Sequence, residues 1–314
     1  MNLNNYTPFA GMAWESWDSN GERFVTSLLR LKFKLVKTKK EQEWKLQLLE
    51  EQGELFSADE FYDEDKKENV KYESDYVPFK LCADLVVNAT AKVPYKNELK
   101  SWRCSVALYD KNSVKLNSLT LEVKGPIVNG LREATSEVPI RYIYAKNNNQ
   151  YNPIEKESYY DNQIFYADGT SSNVPAGFGF IHRGWKSRLD LAGTYDKKWI
   201  KTQHPLPPHD FSYLHYQSAH PRLMVKDYIE AGSRVVLENL IEEELSSYFV
   251  IPEFKLLSRI KTQTKSSMEV LMLDTLLVDL DEENDYVVYA SYRAYTPFYD
   301  EVEKVELMLI EEKG

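Results

Sequence analysis

Cysteine and long apolar runs are both scarce in this chain of 314 residues. The 2 cysteines, Cys82 and Cys104, each lie in an apolar stretch that resembles a strand, which predicts buried free thiols rather than a disulfide. No apolar run approaches the roughly 20 residues that cross a bilayer as a helix, and residues 1–13 contain neither a basic patch nor an apolar core. We therefore expect a cytoplasmic protein with no membrane partner.

The chain also lacks an excess of basic residues. Its 39 lysines and arginines are outnumbered by 49 aspartates and glutamates, which gives a formal net charge of −10. A chain of this charge repels a phosphate backbone, so the usual electrostatic source of affinity for nucleic acid is missing. We expect no nucleic-acid partner.

Alternation of apolar and polar residues is the dominant pattern and predicts strands. Residues 29–35 and 44–48 alternate on either side of a polar turn, which indicates a β-hairpin. Further strand-like stretches are 85–87, 102–108, 119–123, 235–240, 248–251, 268–278, 285–295 and 305–310. No helical period extends beyond about three turns. The sequence predicts a mainly β fold with antiparallel sheets in two closely packed, sandwich-like or barrel-like lobes.

Two stretches depart from this alternation. Residues 50–75 carry 11 carboxylates and 3 lysines, which predicts a long, solvated connection that a few aromatic residues hold in place. Residues 126–221, the central segment, contain 8 prolines and many aromatic residues, which is typical of an ordered loop region rather than a flexible linker. We expect an N-terminal β lobe over 1–125 and a C-terminal β lobe over 222–314, with the central segment at their junction, in one integrated unit.

All 5 histidines lie in the central segment, and this clustering is the clearest enzymatic signal. Aspartates accompany them, but no familiar metal-ligand spacing or nucleophile motif is present. One alternative is therefore a metal-assisted hydrolase that uses the cluster, with His182, His204 and His209 as its ligands. The other interpretation is that these histidines cap and pack loops. The full set is His182, His204, His209, His215 and His220.

Aromatic residues of the same segment suggest a second alternative. Trp185, Tyr195, Trp199 and Tyr213 are candidates for a platform on which a sugar ring stacks, as in a carbohydrate-binding module. Buried packing is the more common role of such residues in a β protein.

Longer motifs in the central segment resemble a known family. They are Val174-Pro-Ala-Gly-Phe-Gly179, Arg183-Gly-Trp185 with Arg188, Leu191-Ala-Gly-Thr-Tyr-Asp196, Trp199, and Pro205-Leu-Pro-Pro-His-Asp-Phe211. Outside it, the matching motifs are Glu73-Ser-Asp-Tyr-Val-Pro-Phe-Lys80 with Asp84, Tyr151-Asn-Pro153, Ala219 to Pro221, Asp274-Thr275 and Tyr292-Arg293-Ala294. Together they resemble the bacterial family of domain of unknown function 2169 (DUF2169).

This resemblance implies a function without catalysis or a cofactor. It implies an adaptor, or loading chaperone, of the type VI secretion system, which binds a secreted effector protein and promotes its loading onto the spike or a PAAR-type tip. Protein interfaces favour Trp, Tyr and Arg, which the central segment supplies.

Within the central segment we expect two groups of functional residues. Candidates for partner contact are Arg183, Trp185, Arg188, Tyr195, Asp196, Trp199, Asp210 and Phe211. Internal salt bridges and turn hydrogen bonds are the alternative role for the four charged members. Candidates for shaping the loops are Gly177, Gly179, Gly193 and Pro205, of which the glycines would permit turns closed to other residues.

Overall fold

The fold is seen in a computed structural model that describes residues 1–62, 69–95, 97–145, 151–153, 163–170, 173–281 and 285–310. Strands dominate these residues, which confirms the mainly β prediction. The strands are β1 (Asn2–Asn5), β2 (Ala10–Trp17), β3 (Arg23–Lys37), β4 (Trp44–Leu48), β5 (Glu60–Phe61), β6 (Val70–Tyr72), β7 (Cys82–Asn88), β8 (Thr90–Lys92), β9 (Ser101–Tyr109), β10 (Lys115–Lys124), β11 (Ile127–Val128), β12 (Leu131–Arg132), β13 (Glu137–Pro139), β14 (Ile164–Tyr166), β15 (Met224–Lys226), β16 (Arg234–Ile241), β17 (Glu244–Val250), β18 (Lys255–Thr262), β19 (Ser266–Val270), β20 (Met272–Asp279), β21 (Val287–Pro297) and β22 (Val302–Ile310). The helices are α1 (Lys186–Leu189), α2 (Lys197–Thr202) and three 3₁₀ turns, Tyr142–Tyr144, Tyr213–Tyr216 and Pro221–Leu223.

The largest sheet, sheet A, has seven strands and runs in the order β15-β7-β20-β21-β3-β2, with β4 paired to the far end of β3. Its two longest strands, β3 and β21, form an antiparallel pair that is in register from Phe24 opposite Pro297 to Lys34 opposite Val287. Strands β7 and β20 pair in parallel. Alternate residues of β3 therefore point to opposite faces of sheet A.

Sheet B packs on one of these faces. Its four strands run in the order β1-β22-β18-β19, and β1 pairs with β22 in parallel. The buried hydroxyl oxygens of Ser27 in β3 and Ser258 in β18 lie 2.6 Å apart across the two sheets. Apolar residues around them, including Leu29, Leu31 and Leu256, are fully buried, so this pair of sheets forms a sandwich core.

Sheet C has five strands in the order β14-β10-β9-β16-β17. It meets sheet A where the Asn117 side chain of β10 donates to the carbonyl of Met224 in β15, at 2.8 Å. Each of the three sheets combines strands from residues 1–125 with strands from residues 222–314. The two terminal segments thus build shared sheets, and no closed barrel is formed by the described residues.

Most strands follow the predicted pattern. The hairpin of β3 and β4 is confirmed. Strands β9 and β10, which cover two of the predicted strand-like stretches, pair antiparallel. The prediction of one strand over 268–278 is wrong, because Leu271 separates β19 in sheet B from β20 in sheet A. The sequence alternates through this break, so periodicity alone does not show that the chain changes sheets.

The prediction of a solvated connection over 50–75 is confirmed for residues 50–60, most of which are exposed, and is wrong for residues 69–75, most of which are buried. Gln52, Glu73 and Asp75 are buried. Asp75 pairs with Arg30 of β3, which lies three residues from Ser27 and so points to the face of sheet A opposite sheet B. The hydroxyl of Thr26 in β3 donates to the carbonyl of Pro78 on that face, at 2.6 Å. The end of the segment therefore contributes to the core, whereas its first part lies at the surface.

The central segment contains short strands, the two helices and irregular backbone. It meets sheet A where the Val87 amide of β7 donates to the carbonyl of Phe178, which is fully buried. None of the helices in the described residues is long and apolar enough to cross a membrane. Both cysteines are free, with Cys104 buried and Cys82 half-buried.

Candidate functional site: an aromatic surface above a buried charge network

Buried ionic side chains connect sheet A to the irregular backbone that covers it. We call this set the buried charge network, and its members are Arg30, Glu73, Asp75, Lys80, Asp84, Arg188, Asp274 and Arg293. It contains four cations and four carboxylates, so its formal charges balance. Balance matters because an unpaired charge in the interior is costly.

The first part of the network holds the segment before β7 against sheet A. Arg30 of β3 pairs with the Asp75 carboxylate at 2.7 Å, and its guanidinium stacks 3.9 Å from the centre of the Phe56 ring. The same carboxylate accepts from the Phe56 amide at 2.8 Å and from the Ser291 hydroxyl at 3.3 Å. Three separate groups therefore position the Asp75 carboxylate.

A second part ties the end of the central segment to β7. The fully buried Asp84 carboxylate lies 2.5 Å from the Lys80 ammonium. It also accepts from the Ser218 amide at 2.9 Å and from the Gln217 side chain at 3.0 Å. Asp84 is thus the anchor for the backbone that follows the second 3₁₀ turn.

The third part contains Arg188, which the sequence suggested as a partner contact. The structure buries it, and its guanidinium lies 2.7 Å from the Glu73 carboxylate. It also donates to the carbonyls of Ile181, at 2.6 Å, and His215, at 2.8 Å. Arg188 therefore fixes helix α1, the backbone before it and the turn at Tyr213–Tyr216 in one arrangement.

The pKa values of Glu73 and Asp274 reflect the balance between burial and nearby charge. Burial acts to raise the pKa of Glu73, but Arg188, Lys80 and Arg183 outweigh it, so the pKa lies below its ordinary value. At Asp274 burial is the stronger effect, and its pKa is raised although Arg293 forms an ion pair with it. Glu73 is the more firmly ionised of the two.

A cavity of about 20 Å³ lies inside the network, between Arg30, Asp75, Lys80 and Arg293. It has room for about one water molecule. The network residues come from motifs that carry the resemblance to DUF2169, together with Arg30. Their geometry indicates that these motifs hold the irregular backbone on the sheets.

The other charged candidates make local contacts. Arg183 is half-exposed and lies 2.8 Å from Asp59 and 3.5 Å from Glu73. Asp196 accepts from the Trp199 amide at 2.8 Å and caps helix α2. Asp210 accepts from the Thr194 hydroxyl at 2.7 Å and from the Thr194 amide at 3.0 Å, and these two bonds hold its pKa below the ordinary value.

Trp185 and the glycines lie in the covered part of the segment. The Trp185 ring is 2% exposed and meets the Tyr142 ring edge to face at 5.1 Å, so it cannot join a sugar platform with Tyr195 and Trp199. A Cβ at Gly177 would lie 2.4 Å from the Tyr142 ring, whereas one at Gly179 would meet nothing closer than 3.7 Å. Of these two positions, 177 therefore requires glycine, because the backbone there lies close to an aromatic ring, and 179 does not.

Two further loop candidates flank helix α2. Gly193 has a φ of +78°, and a Cβ there would lie 2.9 Å from the Asp210 carboxylate, so its turn does require glycine. The peptide bond between His204 and Pro205 is cis.

The outer side of the central segment carries a group of partly exposed rings. We call it the aromatic surface, and it comprises Tyr195, Trp199, Phe211, Tyr213 and Tyr216. The Tyr195 and Trp199 rings are 4.7 Å apart, and Phe211 lies 5.3 Å from Tyr216 and 5.4 Å from Tyr213. The Thr194 amide, next to Tyr195, donates to the carboxylate of Asp210, next to Phe211, at 3.0 Å, so the two groups of rings come from backbone stretches that are bonded to each other. Burial raises the pKa of Tyr216 to about 12.

The aromatic surface is anchored to the body of the protein from below. The Tyr213 ring lies 4.7 Å from the Phe79 ring, which in turn packs against Phe24 of β3. The Trp199 indole donates to the carbonyl of Leu206 at 2.9 Å. Tyr213 and Trp199 of the aromatic surface are therefore held in place before any partner binds, which lowers the entropic cost of binding.

Sequence reasoning missed the exposed residues beside these rings. Ile200 is 61% exposed and Leu214 is 40% exposed, and three lysines of α2 point to solvent. The three are Lys197, Lys198 and Lys201. The signal was present in the sequence, because lysines 197 and 201 lie one helical turn apart on a face with Ile200.

The histidines are distributed through the segment. His182 lies beside Trp185, His204 beside Trp199, and His220 is buried with its Nε2 atom 2.7 Å from the Tyr166 hydroxyl. Burial lowers the pKa of His220 to about 3. Among the described residues, no three His, Cys, Asp or Glu side chains come together as potential metal ligands, so His182, His204 and His209 do not form the suggested centre.

The chain matches one family model, described as "Uncharacterized protein conserved in bacteria (DUF2169)", over residues 20–143 and 153–290. No curated protein and no solved structure matches it. The matched ranges cover most of the chain and include every member of the buried charge network except Arg293. The chain therefore belongs to the DUF2169 family of uncharacterized proteins that are conserved in bacteria.

Proposed function

We propose that this protein is a non-enzymatic adaptor of the type VI secretion system, which binds an effector and promotes its loading onto the spike or a PAAR-type tip. The observation that carries the proposal is the aromatic surface, in which Tyr195, Trp199, Phe211, Tyr213 and Tyr216 are clustered, partly exposed and fixed from below. The assignment to the type VI secretion system rests on the motifs that resemble the family.

Physical chemistry supports binding at this surface. Interface hot spots are rich in Trp and Tyr because these rings bury a large area and lose little conformational entropy. The buried charge network gives the irregular backbone one fixed arrangement, with Arg188 holding several loops at once. A fixed surface of this composition is suited to a stable protein complex.

The experiment is affinity purification of the tagged protein from its native cells at physiological salt, with bound proteins identified by mass spectrometry. We expect one large effector or spike component in a near-stoichiometric amount. A doubly substituted protein, Tyr195→Ser with Leu214→Ser, should lose most of that partner, because both side chains are exposed at the surface. Tyr299→Ser is the matched control, since Tyr299 is 81% exposed and lies outside the central segment.

Two results would contradict the proposal. The protein would come out without a protein partner, or the doubly substituted protein would retain the partner as well as the control does. Recovery of stoichiometric metal or a small ligand in place of a protein would direct attention to catalysis instead.

A further inference from the structure

Helix α2 lies on the protein surface and is fixed by one side only. None of its residues is buried, and Trp199 and the following Gln203, four residues apart, form the inner side. The Gln203 amide donates to the carbonyls of Ser19, at 2.6 Å, and Pro207, at 3.0 Å. Asp196 caps the first turn. The helix is therefore positioned without any contribution from its outer side.

The outer side combines positive charge with apolar surface. Lys197, Ile200 and Lys201 are spaced three and four residues apart, so they project from the same face of the helix. All three are exposed, and Ile200 is 61% exposed although isoleucine is usually buried. Within the described part of the chain, neither lysine forms an ion pair. We call these three residues the α2 face.

The charge of the α2 face contrasts with the rest of the molecule. The chain has a formal net charge of −10, yet Lys197, Lys198 and Lys201 form a compact cationic group. Two nearby carboxylates, Asp196 and Asp210, are already engaged with backbone amides at 2.8 and 3.0 Å. A local positive site attracts an acidic group of a partner even though the protein as a whole is acidic. Basic surfaces of a partner would instead be attracted to other parts of this protein.

We infer that the α2 face docks an acidic segment of the protein partner, in which carboxylates flank an apolar side chain. The carboxylates would pair with Lys197 and Lys201, and the apolar side chain would cover Ile200. This inference rests on the proposed function, since it describes the chemistry of the partner that the aromatic surface binds. It adds a specific expectation, because an aromatic surface alone does not select for charge.

A protein segment fits the α2 face better than other anionic partners. Nucleic acid would meet a strongly acidic protein in which three lysines provide the local attraction. A membrane surface binds helices that bury a long apolar face, whereas α2 has six residues with one exposed isoleucine. A short acidic segment needs only the two charges and the apolar contact that are present.

Photo-crosslinking identifies the contact directly. The full-length protein carrying p-benzoylphenylalanine in place of Ile200 is purified from irradiated native cells, and the crosslinked peptide is sequenced by mass spectrometry. We expect a single partner peptide with aspartate or glutamate on both sides of an apolar residue. A basic or uncharged peptide at this position would overturn the inference, as would the absence of a crosslink from a sample that still contains the partner.

Charge reversal supplies the second readout. We expect the Lys197→Glu, Lys201→Glu protein to bind the identified partner at least about tenfold more weakly, with the loss reduced at high salt. The Lys39→Glu, Lys45→Glu protein is the matched control, since both lysines are exposed and lie in or beside the turn between β3 and β4. It should bind as the original protein does. Equal binding by both variants would refute the inference.

The outcomes separate this inference from the proposed function. Retention of the partner by both charge-reversed proteins would overturn the inference about the α2 face but would not contradict the adaptor proposal. Failure of the original protein to retain any protein overturns both. Binding of the original protein to phosphatidylglycerol vesicles, lost on reversal of lysines 197 and 201 and with no protein partner, would replace the protein segment with a membrane surface.

Discussion

Replacing Arg188 with methionine should lower the free energy of unfolding while leaving the side-chain volume nearly unchanged. The structure places this guanidinium 2.7 Å from the buried Glu73 carboxylate and in contact with the carbonyls of Ile181 and His215. Removing one partner of a buried ion pair costs about 3–5 kcal/mol, because the other charge stays buried. Arg183 and Lys80 still face Glu73, so we expect the lower part of that range, about 3 kcal/mol.

The assay is equilibrium unfolding in urea, monitored by tryptophan fluorescence. The dependence of the free energy on urea concentration is compared between proteins, because an altered slope would indicate a departure from two-state behaviour. Lys186→Met is the matched control, because Lys186 lies on the same helix and pairs with Asp190 in solvent. It should leave the unfolding curve nearly unchanged. The doubly substituted protein Arg188→Met, Glu73→Gln should recover part of the loss, since no buried charge is left unpaired.

The reasoning is refuted if Arg188→Met changes the free energy of unfolding by less than about 1 kcal/mol, the value of an exposed pair. It is also refuted if Arg188→Met weakens partner binding without any change in stability, because Arg188 would then act at the interface and not beneath it.

Three further predictions concern other parts of the molecule. The pKa of His220 is about 3 in the folded protein, against 6.5 for an ordinary histidine, so the unfolded chain binds the proton first as pH falls. The free energy of unfolding should therefore fall as pH drops from 6.5 towards 3, by up to about 1.4 kcal/mol per pH unit. In urea unfolding measured over this pH range, a His220→Gln protein should lose less stability. Gly177→Ala should cost about 1–3 kcal/mol through its clash with the Tyr142 ring, whereas Gly179→Ala should change the melting temperature little, and equal effects would contradict the geometry. Burial raises the pKa of both thiols, so a thiol reagent should modify half-buried Cys82 slowly and Cys104 only in urea; rapid reaction of both in the native state would be inconsistent with the fold.

Local pattern was sufficient for the strands and insufficient for their partners. The hairpin of β3 and β4 follows from alternation on either side of a short turn. The parallel pairs β1 with β22 and β7 with β20 join strands that are far apart in sequence, which no local pattern reveals. The charged stretch 50–75 has the composition of a solvated connection, but Asp75 and Glu73 at its end pair with Arg30 and Arg188, which are remote in sequence.

The candidate site shows the same division. Tyr195, Trp199 and Phe211 were expected at a binding surface, and the structure places them together on the outside of the central segment. Trp185 and Arg188 were expected there for the same reason, since interfaces favour tryptophan and arginine, but both are buried. Residue type suits an interface and a paired interior equally well, so only the three-dimensional arrangement distinguishes them.

Amide hydrogen exchange of the purified complex, compared with the protein alone, tests most directly whether the aromatic surface binds the partner. The account predicts slower exchange in peptides that cover 194–216 and unchanged exchange in strands β18 and β19 of sheet B. Protection confined to sheet B, or no change in 194–216 while the partner is bound, would show that the partner binds elsewhere and would contradict the account.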